Sequence, residues 1–154
     1  MTEIRFYHLQ RSALENALPK LLEKTLERGW RAVVMTGSED RVEALNTVLW
    51  NYAPEGFLPH GSKKDGYSER QPVWLTDQDE NPNAAVVLFL VDGAKSERIS
   101  EFELCCEIFD GRDDDAVVAA RKHWKLRMNS EFSLTYWQQT EEGAWEKKAE
   151  KAAL

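Results

Sequence analysis

The sequence predicts an α/β protein: a single three-layer domain around a mostly parallel sheet. Two observations carry this. Apolar strand-like runs alternate with helical runs along the chain, the order that crossover connections require. The 31–36 and 84–91 runs are almost continuously apolar, as strands covered on both faces must be. At 154 residues the chain is one domain by size and large enough to bury a core. Its hydrophobic fraction of 42% fits a globular protein.

Ile4 to Leu9 reads as the first strand, with Phe6 and Tyr7 suited to a pleated surface. Ser12-Ala13-Leu14-Glu15 matches a capping box, and Leu14, Leu18, Leu21, Leu22 and Leu26 form a helical stripe behind it. Pro19 should kink that helix or mark a second start, and Gly29 should cap its end. After the 31–36 strand, Gly37-Ser38 turns into a helix over 39–49, with Glu39 and Asp40 at its positive end. Pro54, Gly56, Pro59 and Gly61 then enforce a loop holding or flanked by Trp50, Tyr52 and Phe57, which plug the core or anchor a partner.

A polar insert over 62–70 is expected to be mobile. Strands follow at 72–76, 84–91, 102–109 and 132–137, with a helical turn near 96–100. A helix spans 113–129, three Asp at its start and Lys125 and Arg127 near its end. The domain is taken as 1–140, and the charged 141–154 stretch as a frayed helix or flexible tail.

A net charge of −7 argues against nucleic-acid binding by the whole surface, so any anion must meet a local basic patch. No apolar run is long enough to span a membrane, and the first residues lack signal-peptide character. Cys105 and Cys106 are adjacent on a strand and so point to opposite faces, which favours a reducing, cytoplasmic setting.

Enzymatic signals are sparse. Thr36-Gly37-Ser38 joins a strand to a helix, where phosphate often binds, but the glycine-rich phosphate motifs are missing and Glu39-Asp40 opposes an anion. Asp92 ends a central strand, where turn chemistry and a catalytic carboxylate are both plausible. His8, His60 and His123 have no metal-ligand spacing, and a structural hydrogen bond is expected for His60. No metal, cofactor or nucleophile site is expected. On the 113–129 helix, Val117, Arg121, Trp124 and Met128 share one stripe bordered by Lys125, and Ala116, Ala119, Ala120 and His123 lie opposite. If the alanine side packs on the sheet, the basic–aromatic stripe faces outward, suited to an acidic peptide with an apolar, carboxylate end or to single-stranded DNA. If Trp124 is core, the two cations are solvated neighbours.

The order of Phe6-Tyr7-x-Leu9, Gly29-Trp30-Arg31-Ala32-Val33-Val34, Leu49-Trp50, Phe57-Leu58-Pro59-His60 and Ala120-Arg121-x-x-Trp124-Lys125 resembles the chi subunit of bacterial DNA polymerase III. The resemblance runs over about residues 3–137. It implies a fold akin to mononucleotide-binding domains but without nucleotide, and a non-catalytic accessory of the clamp loader. It also implies capture of the acidic, Phe-ended tail of single-stranded DNA-binding protein at Val117, Arg121, Trp124 and Lys125. Val117 replaces a basic residue of the family. Trp50 and Phe57 correspond to the surface for a psi subunit or a competing helicase. The chain is expected to be monomeric alone. The alternative is a nucleotide- or phosphate-handling enzyme using the Thr36–Ser38 turn and Asp92.

Overall fold

The computed structural model describes residues 2–53 and 58–152. The strands are β1 (Glu3–Leu9), β2 (Ala32–Met35), β3 (Gly61–Ser62), β4 (Val73–Thr76), β5 (Val87–Leu90), β6 (Leu104–Asp110), β7 (Ser133–Gln139) and β8 (Trp145–Lys151). The helices are α1 (Leu14–Glu27), α2 (Glu39–Asn51) and α3 (Asp114–Met128). All eight strands join one sheet in the order β3-β4-β2-β5-β6-β1-β7-β8. Every pairing is parallel except β7 with β8, so the α/β class read from the sequence holds.

Two apolar layers sandwich the sheet. On one face, Leu18 and Leu22 of α1 and Leu45 and Leu49 of α2 meet Val34, Leu75 and Phe89. On the other, Ala120 of α3 packs with Phe6, Val33, Leu88 and Leu134. Each large side chain fully withdrawn from water contributes about 1.5–3 kcal/mol, so strands covered on both sides are the stable centre. Cys105 and Cys106 are buried in opposite layers, as their adjacency requires.

Several local readings need revision. Ser12 does not cap α1. Ala13 holds the N-cap position and makes no side-chain hydrogen bond, because Ser12 is instead drawn to Gln139 across the sheet. Pro19 creates no second start; it lies buried inside a single helix. Gly29 does end α1, at φ +77°, with its N–H donating to the Leu26 carbonyl and Trp30 N–H to that of Thr25. The 84–91 strand contracts to β5 because Ala84 adopts φ +51° and Ala85 N–H donates to Asn81 Oδ1. The 62–70 insert contributes the edge strand β3 and a 3-10 turn over Ser68–Arg70.

The larger correction is at the C-terminus. The segment expected as frayed helix or flexible tail forms β8, an antiparallel strand on the β7 edge. Four of its five charged residues, Glu146 to Lys148 and Glu150, face solvent. Lys151 Nζ donates to the Ser130 and Phe132 carbonyls, and Trp145 packs edge-to-face on Tyr7 at 4.8 Å, fastening the strand to the core.

The basic–aromatic face of α3 and the acidic mouth of the sheet

The carboxyl ends of β1 and β6 are where nucleotide-binding domains of this topology place their ligand. The two strands are adjacent, and the helices that follow them, α1 and α3, cover opposite faces. A cleft of about 520 Å³ opens there. Its lining carries six carboxylates, from Glu15, Asp92, Glu107, Asp110, Asp113 and Asp115, against the cations Arg41 and Arg112. Arg41 is already held by Asp92 (2.8 and 3.4 Å) and Glu15 (3.3 Å), and Arg112 by Asp110 (3.2 Å). The Arg112 backbone N–H and guanidinium hold the Asp110 carboxyl below its usual range. A phosphate entering this mouth meets fixed negative charge.

The backbone amides that would greet a phosphate are also occupied. After β1, the N–H groups of Gln10, Arg11 and Ser12 all donate to one acceptor, Oε1 of the buried Gln139, at 3.0, 2.9 and 3.1 Å. Such a converging nest is an anion site in other folds. Here the end of β7 fills it. At the Thr36–Ser38 turn, Thr36 Oγ1 donates to the Ser38 carbonyl, and Ser38 Oγ accepts Arg41 N–H to cap α2. Asp92 sits at φ +54°, a conformation aspartate tolerates, as ordinary turn chemistry implies.

The outer side of α3 is the reverse in charge. Asp113 caps the helix through Oδ1, accepting from Asp115 and Ala116 N–H, and the acidic first turn suits the helix dipole. Ala120 is buried against the sheet as its size allows, and His123 Nδ1 pairs with Glu107 on β6. This fixes the rotation of the helix. Arg121 and Lys125 are then exposed, and Val117 and Trp124 lie half-buried at the rim of the core.

Trp124 therefore belongs to both alternatives left open by the sequence. Its ring packs edge-on against Phe6 (5.4 Å) and Tyr136 (5.9 Å), yet the residue is only half-buried, on the same helix as the exposed Arg121 and Lys125. Met128, 41% exposed, extends the apolar stripe, while the exposed Leu126 lies on the other side of the helix, beside His123.

The sequence missed a second aromatic layer beneath this stripe. Tyr136 stacks on Phe6 at 6.5 Å, and His8 Nδ1 pairs with Tyr136 Oη at 2.7 Å. Burial, and then the nearby Arg121 guanidinium, lower the His8 pKa against the opposing pull of Asp110. Burial raises that of Tyr136 against the same guanidinium. The only available signal was the period-two spacing of Leu134, Tyr136 and Gln138 on a strand.

At the other predicted surface, Trp50 is 54% exposed at the end of α2, its ring 4.9 Å from that of His60. His60 is buried and bridges the Leu58 carbonyl (2.7 Å) and the Asn46 amide (2.9 Å), the structural role expected of it. Phe57 lies outside the described residues. Among the described residues no cluster of three or more His, Cys, Asp or Glu could hold a metal ion, and no helix is long and apolar enough to cross a membrane.

Comparison with known proteins meets this geometry from another side. The probable DNA polymerase III subunit chi of Rickettsia prowazekii (strain Madrid E) is 34% identical over 105 residues. That alignment takes in 66% of this chain and 64% of the relative, so the chain spans less than two thirds of the relative's length. The family described as DNA polymerase III chi subunit, HolC, matches residues 1–135, which include β1, the α2 exit, α3 and the start of β7. On that match the chain belongs to the DNA polymerase III chi subunit family.

Proposed function

We propose that the protein is a non-catalytic accessory subunit of the DNA polymerase III clamp loader in DNA replication. In this reading α3 captures the acidic, Phe-ended C-terminal tail of single-stranded DNA-binding protein and so links the replicase to coated single strands. The observation that carries it is the exposed Arg121 and Lys125 flanking half-buried Trp124, in a chain of the chi family. Carboxylates of the tail pair with the two cations, and the terminal Phe packs beside Val117 and Trp124. Val117 supplies apolar contact where a further cation would add charge.

A second surface, around Trp50 and with Phe57 beside it in sequence, serves a psi subunit or a helicase in the same reading. Trp50 supports this because an indole left 54% exposed at a helix end is a typical interface anchor. The competing enzymatic reading needs a phosphate at the strand ends, where six carboxylates and the filled amide nest oppose it.

The test is a titration with a fluorescent acidic, Phe-terminated peptide at low and high salt. Saturable binding that weakens with salt and vanishes without the terminal Phe is expected, since exposed ion pairs are screened. Absence of binding at high micromolar peptide sinks the tail reading. A nucleotide panel in a thermal-shift assay addresses the enzymatic reading, because any ligand of the folded state raises the melting temperature.

A further inference from the structure

On the face of the sheet away from α3, a groove of about 220 Å³ runs between the C-terminal half of α1 and the β7–β8 hairpin. Three of the six tryptophans of the chain, Trp30, Trp137 and Trp145, line it with Tyr7. Trp145 is there because β8 is a strand; a helical or loose C-terminus would leave the groove without a wall. Lys24 in the last turn of α1 and Arg28 at its C-cap, four residues on, stand exposed at its rim. Neither makes an ion pair among the described residues, and Arg28 lies over the Trp30 ring at 5.1 Å. The third cation, Arg5, is bonded to Glu3 at 2.8 Å and reaches Tyr7 Oη at 3.4 Å.

Indole and phenol rings dominate the lining over the aliphatic Leu21 and Leu104, and the Arg5 guanidinium adds a polar edge, whereas the Thr25 hydroxyl is held by the Leu21 carbonyl. Such a lining suits a flat ligand with polar edges. The two unpaired cations outside it suit negative charge carried just beyond the flat part. We propose that this groove holds a nucleobase of single-stranded DNA, with Lys24 and Arg28 on the adjoining phosphates. Stacking on aromatic side chains beside phosphate-pairing cations is the general chemistry of single-strand binding. The proposal does not depend on the tail reading, which uses α3 on the opposite face. The net charge of −7 opposes a strand over most of the surface outside the basic patches, so one short stretch is held, weakly and only at low salt.

The experiment is a low-salt titration of the full chain with an oligothymidylate of about eight nucleotides, a length within the usual site size. It is read by tryptophan fluorescence and by the indole N–H signals of the six tryptophans in a nitrogen-resolved NMR spectrum. Expected are saturable quenching, shifts at Trp30 and Trp145 but not at Trp50 or Trp124, and affinity at least about tenfold weaker in a Lys24→Glu/Arg28→Glu variant. Both substitutions are at exposed positions, one in the last turn of α1 and one at its C-cap, and circular dichroism establishes that the variant is folded. Absence of quenching, shifts confined to Trp124, or equal affinity in the variant overturns the proposal. The acidic Phe-ended peptide is titrated in parallel. If that peptide, and not the oligonucleotide, shifts Trp30 and Trp145, the groove is a protein site and the proposal falls. Failure of the peptide at α3 leaves the oligonucleotide result standing, so the two readings fail separately.

Discussion

The mouth of the sheet and the outer face of α3 divide the chemistry of this molecule between them. The mouth has the topology of a nucleotide site, but its charge is acidic and its amide nest holds the Gln139 side chain. The outer face of α3 instead presents two exposed cations, Arg121 and Lys125, next to an indole packed edge-on against Phe6. Fold topology thus points to one place and side-chain chemistry to another. Where they disagree, the proposed function follows the side chains, because a fold positions groups without choosing them.

The largest expected effect is at the mouth. Gln139→Ala removes the common acceptor of three amides, each costing about 1–3 kcal/mol if left unpaired, so a loss of about 3 kcal/mol is expected in urea unfolding. The variant also sharpens the comparison. With the acidic mouth next to the vacated nest, Asp110 pairing with Leu9 just before it, millimolar phosphate should not restore the unfolding midpoint; restoration would show that topology still outweighs charge there. On α3, Arg121→Ala is expected to weaken tail-peptide binding by about 1.5–3 kcal/mol without changing the midpoint, the scale of a charge-assisted hydrogen bond. Unaltered affinity would remove Arg121 from the site.

Smaller changes probe what links the two regions. Asp113→Ala strips the N-cap of α3 and should lower stability by about 1 kcal/mol in the same unfolding assay. His8 lies between mouth and helix, with its pKa held below the usual 6.5 mainly by burial and then by Arg121. Its contribution is whole above pH 6.5 and is lost as pH falls toward the lowered folded value, because the unfolded chain takes up the proton first. A shallow decline in stability below pH 6.5 is expected, and His8→Gln should flatten it. In the folded protein His8 takes up its proton only around and below the lowered value, and the added positive charge beside Arg121 should then raise tail affinity slightly. An unchanged slope in the variant would assign the decline to other groups.

How far these features were legible follows from how local their causes are. The apolar runs gave β2 and β5 because burial on both faces leaves a continuous signature, and Gly29 gave the end of α1 because only a left-handed residue closes it. The stripe on α3 was visible as a period, and the small Ala120 correctly indicated the inward side. What escaped notice depended on contacts distant in sequence. Ser12 has every local mark of a cap, but Gln139, 127 residues away, bonds both its amide and its hydroxyl. Trp124 looked like either core or surface because its half-burial is set by Phe6 and Tyr136, which no helical period reports. The 145–151 segment looked like a tail since five of its seven residues are charged; pairing with β7 and a single indole decide otherwise.

The position of β1 has a consequence for how the chain is made. β1, which is synthesised before the rest of this sheet, lies between β6 and β7, and its flank is tied to Phe102 by a hydrogen bond that spans 100 residues. At roughly 5–20 residues per second, β1 waits about 5–20 s after its own synthesis before either neighbour exists. During that interval the apolar Phe6 and Tyr7 have no sheet to join. Deleting the chain from β6 onward should therefore leave a fragment that collapses without a centre, and folding of the whole should be slow, as pairing across long loops demands.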